Sequence, residues 1–190
     1  MPHRFPFDEA PDPSARQIME DALHIMHGGP PPFEWIGEDG TSMLGCYGPL
    51  CYSPLMAQKF FEWAKAAYGS KIMKPRNREL AILGLASILD VPYVIHTHRS
   101  VAFRTGITPE QYDDAVAGRL PQGLSGEECM AYNLGRILTN LTGPLDDETW
   151  EDVTSKMNKA EVVEIIHIIA GYRCVALMEQ VNGKGSRWMS

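Results

Sequence analysis

Residues 75–89, PRNRELAILGLASIL, constrain the fold most, because Leu80, Ile82, Leu83, Leu85, Ala86, Ile88 and Leu89 leave almost no polar face once the segment coils. A helix that is apolar nearly all round has to be enclosed by other elements, so it is expected to be the central helix of a domain. Its neighbours also read as helices. Ser14 and Gln17 make a capping box for a first helix to about Met26, which Gly28-Gly29-Pro30-Pro31-Pro32 ends. Ser53-Pro54 opens a second at N-cap and N1, with Leu55, Phe60, Phe61, Trp63, Ala64 and Ala67 as its apolar stripe up to Gly69. Pro92 begins the helix after the central one, which runs to Thr105 and stops at Gly106.

Four further starts follow. Thr108-Pro109 caps a short helix ending at Gly118, and Ser125 with Glu128 caps a longer one carrying Met130, Leu134, Ile137, Leu138 and Leu141. Asp146 or Asp147 caps a short segment around Trp150 and Val153, and Asn158 with Glu161 opens a long last helix, Val162 to Val181, closed by Asn182-Gly183. No period-2 alternation of useful length occurs, so the expected class is all-α with seven to eight helices. At 190 residues and 44% apolar, the chain is expected to form a single domain, 1–190. Residues 1–13 read as a Pro-rich extended arm and 184–190 as a frayed tail. The irregular segment 28–52 holds Phe33, Trp35, Met43, Leu44, Tyr47 and Tyr52, too apolar to stand in water. It is expected to fold over the core, a neighbouring subunit or a substrate cavity.

Bulk chemistry removes several function classes. With 17 basic against 24 acidic residues, a net charge of -7 and no basic cluster interleaved with aromatics, nucleic acid is not an expected partner. Apolar runs end within about ten residues, short of the ~20 that cross a bilayer, so no membrane association is expected. The N-terminus lacks the apolar core of a signal peptide, which makes a cytoplasmic protein the expectation. Cys46, Cys51, Cys129 and Cys174 form no CxxC pair and read as reduced thiols, the Cys46–Cys51 pair reflecting packing rather than redox chemistry.

Acid/base candidates gather in residues 76–104, RNRELAILGLASILDVPYVIHTHRSVAFR. Glu79 opens the central helix, and His96 and His98 follow the Val91-Pro92 break. A carboxylate and an imidazole beside a buried helix are the usual parts of proton-transfer chemistry. On a helix, residues two apart point about 200° from one another, so His96 and His98 cannot share a face. The blander alternative for Glu79 is an ion pair with Arg78 or a nearby Arg. Arg99 and Arg104 are the nearest cations, each able to hold a substrate carboxylate or to lie in solvent. Glu164 and His167 make one Glu-x-x-His, but a di-iron bundle needs a second copy and two further Glu, so no metal site is expected and a polar notch is the reading. His24 and His27 share a face beside the glycine stop and read as surface residues.

The order of SPLMAQKF, NRELAIL, a Pro/Tyr break with a His four residues after Val94, VAFRTGITPEQYDDAVAG, SGEECMAYNLGRIL and AEVVEIIHIIAGYRCVALMEQVNG resembles the carboxymuconolactone decarboxylase and alkylhydroperoxidase D superfamily over about residues 44–183. The resemblance implies an all-helical bundle that assembles as a homo-trimer or homo-hexamer. It matches Glu79 and His98 to the two ends of that family's proton relay and makes His98 the inward histidine. The two cysteine positions of the peroxidase branch fall on Val91 and Val94. A dithiol peroxidase needs an attacking and a resolving thiol, so that activity is disfavoured. Decarboxylase-like members carry Glu and Trp where this chain has Val94 and Ile95, leaving His98 as the match. The family's final-helix pattern sets Tyr172 and Arg173 at the cavity or the subunit interface.

These readings combine into one expectation: a cofactor-free acid/base enzyme of the decarboxylase-like branch, acting on a small carbonyl or lactone carboxylate by decarboxylation or a related isomerisation or cyclisation. His98 would handle the proton, Glu79 would set its tautomer or relay the proton, and His96, Tyr93 or an Arg would stabilise the oxyanion. Tyr93, Val94, Arg99, Arg104 and Tyr172 are the expected substrate contacts, with Val91, Val94 and Ile95 keeping the pocket dry. Two alternatives stay open: a non-catalytic scaffold that kept the fold, and a metal enzyme using histidines and Glu164.

Overall fold

The computed structural model describes residues 4–37, 40 and 43–183. The expected tail at 184–190 lies outside them. Among the described residues the chain is all-α: nine helices, no strand, and one isolated antiparallel bridge between Ile36 and Met43. In order they are α1 (Ala15–His27), α2 (Tyr47–Cys51), α3 (Pro54–Gly69), α4 (Pro75–Ala86), α5 (Pro92–Arg104), α6 (Pro109–Val116), α7 (Gly126–Asn140), α8 (Asp147–Lys156) and α9 (Lys159–Asn182). None is long and apolar enough to cross a membrane.

Most helix starts follow the capping logic. Thr108 and Gln111, and Ser125 and Glu128, form reciprocal capping boxes. Asp146 accepts the Thr149 N–H, and Asn158 Oδ1 accepts those of Ala160 and Glu161. α1 departs from expectation. Ser14 sits at φ -90, ψ 0 with no side-chain cap, and its hydroxyl donates to Asp12 Oδ1 at 2.6 Å. The Ser14 N–H donates to the same carboxylate at 2.8 Å, and with Ser14 already in a helical conformation its side chain takes no N-cap position. Gly28 ends this helix in the left-handed region (φ 69), where glycine carries no Cβ penalty.

Three boundaries also differ. The ninth helix, α2, lies within the 28–52 stretch expected to be irregular, and a 3-10 turn at Phe7–Glu9 interrupts the arm expected to be extended. α4 stops at Ala86 rather than Leu89, because the chain tightens there, with Ile88 N–H donating to Leu85 and Ser87 Oγ to Gly84.

The chain divides into two compact units. The first takes residues up to Gly69, together with 91–93 and the chain from Cys174 onward. In it α1 packs on α3, and Met19, Leu23, Leu50, Ala57 and Phe61 are buried. The described apolar residues of the 28–52 segment fold over this core. Met43 and Leu44 are buried, while Phe33 and Trp35 reach Tyr47 at ring separations of 6.0 Å. The Tyr93 ring lies where a Cβ on Gly45 would stand, 2.2 Å from its nearest atom.

The second unit comprises 70–90 and 94–173. α4 is its central helix, with every residue from Glu79 to Ala86 buried. α7 packs along α4 at close range: a Cβ on Gly84 would lie 2.4 Å from the Tyr132 carbonyl oxygen, and one on Gly135 2.2 Å from that of Ala81. α6 closes over the same core through Tyr112 and Ala115, beside Leu80, Leu83 and Ala102.

Candidate active site

The second unit assembles three of the candidate residues from three helices. Glu79 lies just beyond the first turn of α4, only 1% exposed. A carboxylate so deeply enclosed needs strong partners, since an uncompensated charge there would cost several kcal/mol. Its partner is His98, the seventh residue of α5: Glu79 Oε1 stands 2.8 Å from His98 Nδ1. The other ring nitrogen, Nε2, is 2.7 Å from the Tyr172 hydroxyl on α9. The tyrosine ring meets the imidazole edge-on, with centroids 5.1 Å apart and planes at 81°.

Chemistry orders the protons along this chain. A carboxylate has only acceptors, so an ionised Glu79 fixes a proton on Nδ1, which donates to Oε1. Nε2 is then the acceptor for the Tyr172 O–H. The buried, charge-assisted bond from Nδ1–H to the Glu79 carboxylate is worth about 1.5–3 kcal/mol and orients the ring. Arg76, nearby in sequence, is engaged with Glu128 at 2.6 Å and Gln111 at 2.9 Å.

Tyr112, not singled out from the sequence, also belongs to this region. Its hydroxyl donates to the Ile95 carbonyl, and burial pushes its pKa up to about 12, with Arg99 pulling it down and Glu79 adding to the rise. The phenol therefore stays protonated near neutral pH and fastens α6 to α5.

The remaining candidates, Tyr93, Val94, His96, Arg99 and Arg104, also lie on α5. His96 is exposed, as the 200° separation requires. Arg99 and Arg104 are exposed, and the Arg99 guanidinium lies 5.7 Å from the centroid of Phe103. Val94 is buried. Tyr93 belongs to the first unit, where its hydroxyl donates to the Glu34 carbonyl at 2.6 Å and its N–H to the Glu179 carboxylate at 2.7 Å. With its O–H committed to a carbonyl and burial holding its pKa far above the usual phenol range, Tyr93 is a structural residue there.

Glu164 is half-buried and His167 exposed, and among the described residues no three His, Cys, Asp or Glu side chains cluster as a metal site would require. His27 is half-buried rather than on the surface, edge-on to Phe33 at 5.3 Å. All four cysteines are free thiols. Burial raises the Cys51 pKa to about 12 and that of Cys46 further still, which makes both poor thiolates.

A groove of about 400 Å³ lies between α7 and α8, away from these residues. Three of its polar residues are engaged: Arg136 donates to Ser87, Asp152 holds Lys156, and the Thr149 hydroxyl bonds Asp146. It offers no acid/base group comparable to the Glu79–His98–Tyr172 chain. No protein-family model, curated protein or solved structure matches this chain.

Proposed function

We propose that the chain is a cofactor-free acid/base enzyme of the carboxymuconolactone decarboxylase-like kind, with the helical bundle of that superfamily and a homo-trimeric or homo-hexameric assembly. The observation that carries the reading is the buried Glu79–His98 pair, joined at 2.8 Å although the residues lie nineteen apart in sequence. A helical protein has little structural need for a carboxylate at 1% exposure, and such pairs concentrate where protons are moved.

The substrate class that suits the pair is a small β-keto acid or carboxylated lactone. Loss of carbon dioxide leaves an electron pair on carbon that a proton must quench, and His98 is the proton source. Glu79 holds the imidazole in one tautomer and balances its charge when both ring nitrogens are protonated. Ile95 and buried Val94, nearby on α5, support the reading, since a carboxylate is destabilised in a dry site more than its charge-dispersed transition state. Exposed Val163 and Ile166 on α9 support self-association.

The test is turnover of a panel of β-keto acids and carboxylated lactones by the wild type and His98→Ala. Wild-type turnover that falls at least about 100-fold in the variant is expected, the usual contribution of a positioned acid or base. Turnover unaffected by the substitution removes His98 from the mechanism, and a panel without turnover or binding favours the scaffold alternative. Stoichiometric zinc, iron or manganese in the purified protein would overturn the cofactor-free reading.

A further inference from the structure

We infer that Tyr172, rather than His98, is the group that meets the substrate, and that His98 acts only through it. This inference rests on the acid/base reading above and assigns its last proton carrier. Both nitrogens of His98 are occupied, Nδ1 by Glu79 at 2.8 Å and Nε2 by Tyr172 at 2.7 Å, so the imidazole has no nitrogen left to present to a ligand. Exposure rises along the chain, from 1% at the Glu79 side chain and 9% at His98 to a half-buried Tyr172. Tyr172 is therefore the most exposed member of the relay.

A tyrosine suits that position because its hydroxyl accepts one proton while giving another. In the acid form both nitrogens of His98 carry protons, and the imidazolium and the Glu79 carboxylate together bear no net charge. As the bond from substrate carbon to its carboxylate breaks, the electron pair stays on carbon and carbon dioxide leaves. The Tyr172 O–H proton forms the new C–H bond, and the His98 Nε2 proton moves to the Tyr172 oxygen. The products are the protonated carbon acid, carbon dioxide and neutral His98, still donating Nδ1–H to Glu79. Net uptake of one proton from the buffer restores Nε2 and balances the carboxylate charge lost as carbon dioxide. No oxidant or reductant enters.

The experiment compares Tyr172→Phe, His98→Ala and the double variant on whichever panel compound the wild type turns over. It adds ¹⁵N-histidine NMR of wild type and Tyr172→Phe without ligand. The expected result is a kcat loss of at least about 100-fold in each single variant with little change in KM, and a double variant no slower than the worse single, as for residues that act as one unit. The His98 Nε2 resonance should move when the phenol is removed. A Tyr172→Phe enzyme with wild-type kcat beside an inactive His98→Ala overturns this inference alone, leaving the acid/base reading intact. An Nε2 resonance indifferent to Tyr172→Phe also overturns it, whatever the panel shows. A panel without turnover refutes the enzyme reading, and the delivery role falls with it even if the NMR coupling is present.

Discussion

Replacing Gly135 by alanine should unfold the second unit more easily, although alanine is the better helix former. At an ordinary position inside a helix the change is worth about 1 kcal/mol in favour of alanine. At Gly135 the new Cβ would stand 2.2 Å from the Ala81 carbonyl oxygen and 2.9 Å from both the Ala81 carbonyl carbon and Cα, where ordinary contact begins at 3.4 Å. Helix α7 or α4 must therefore retreat by about 1.2 Å, and the obstacle is main chain that cannot rotate aside. Overpacking a tight core costs about 1–3 kcal/mol, and a backbone obstacle belongs at the upper end. Subtracting the propensity gain leaves a net loss of about 2 kcal/mol, or about 4–8 °C in Tm for a chain of this size.

Urea unfolding followed by circular dichroism measures the loss, with Gly126→Ala as control because its added Cβ meets nothing within 4 Å. Glu79 precedes Ala81 by two residues on α4, so the same retreat should loosen its 2.8 Å contact with His98 and lower turnover in protein that is still folded. A Gly135→Ala protein as stable as the wild type would refute the claim that the two helix backbones are in contact there.

Two further outcomes follow from perturbed groups. Burial lowers the His27 pKa below its ordinary 6.5, and its Nε2 is enclosed without a hydrogen-bond partner. The unfolded chain then binds the extra proton first, so stability falls as pH drops below about 6.5 and levels off beneath the folded-state pKa. His27→Phe should gain on the wild type as pH is lowered from about 8 to about 5, and a difference independent of pH in urea titrations would contradict this. Among the thiols, buried Cys46 and Cys51 should resist an aromatic disulfide reagent at neutral pH until the protein unfolds, while exposed Cys174 reacts earlier. Peptide mapping that finds Cys46 or Cys51 modified in native protein would count against it.

The helices were legible where the signal was local. Ser125 with Glu128 reads as a cap within four residues and is one, because both partners lie inside a single turn. Ser14 looked the same and failed, since the deciding residue, Asp12, lies before the motif. α2 was hidden because Tyr47-Gly48-Pro49 carries turn residues rather than helix formers, and packing of Tyr47 and Leu50 overrides that preference. At the candidate site, periodicity put His96 and His98 on different faces, and the family resemblance chose His98 as the inward one; His98 is buried and His96 exposed. The bond from His98 to Tyr172 spans seventy-four residues, and no spacing rule reaches that far. Tyr93, by contrast, was expected beside the histidines from its place in the chain, but its O–H is committed to Glu34.

The first unit borrows its last pieces from far along the chain. Val175 and Met178 pack against its core, and the Asn182 side-chain N–H groups donate to the carbonyls of Met43 and Gly45, at 3.0 and 2.9 Å. During synthesis, α1 and α3 leave the ribosome about a hundred residues before Cys174 is made, a wait of roughly 5–20 s at about 5–20 residues per second. Over that interval Met43, Leu44 and the Tyr47 ring have no α9 to close against, whereas the 94–173 stretch can begin to pack as it emerges. The aromatic N-terminal part of the newborn chain can thus complete its core only once the end of α9 has been made.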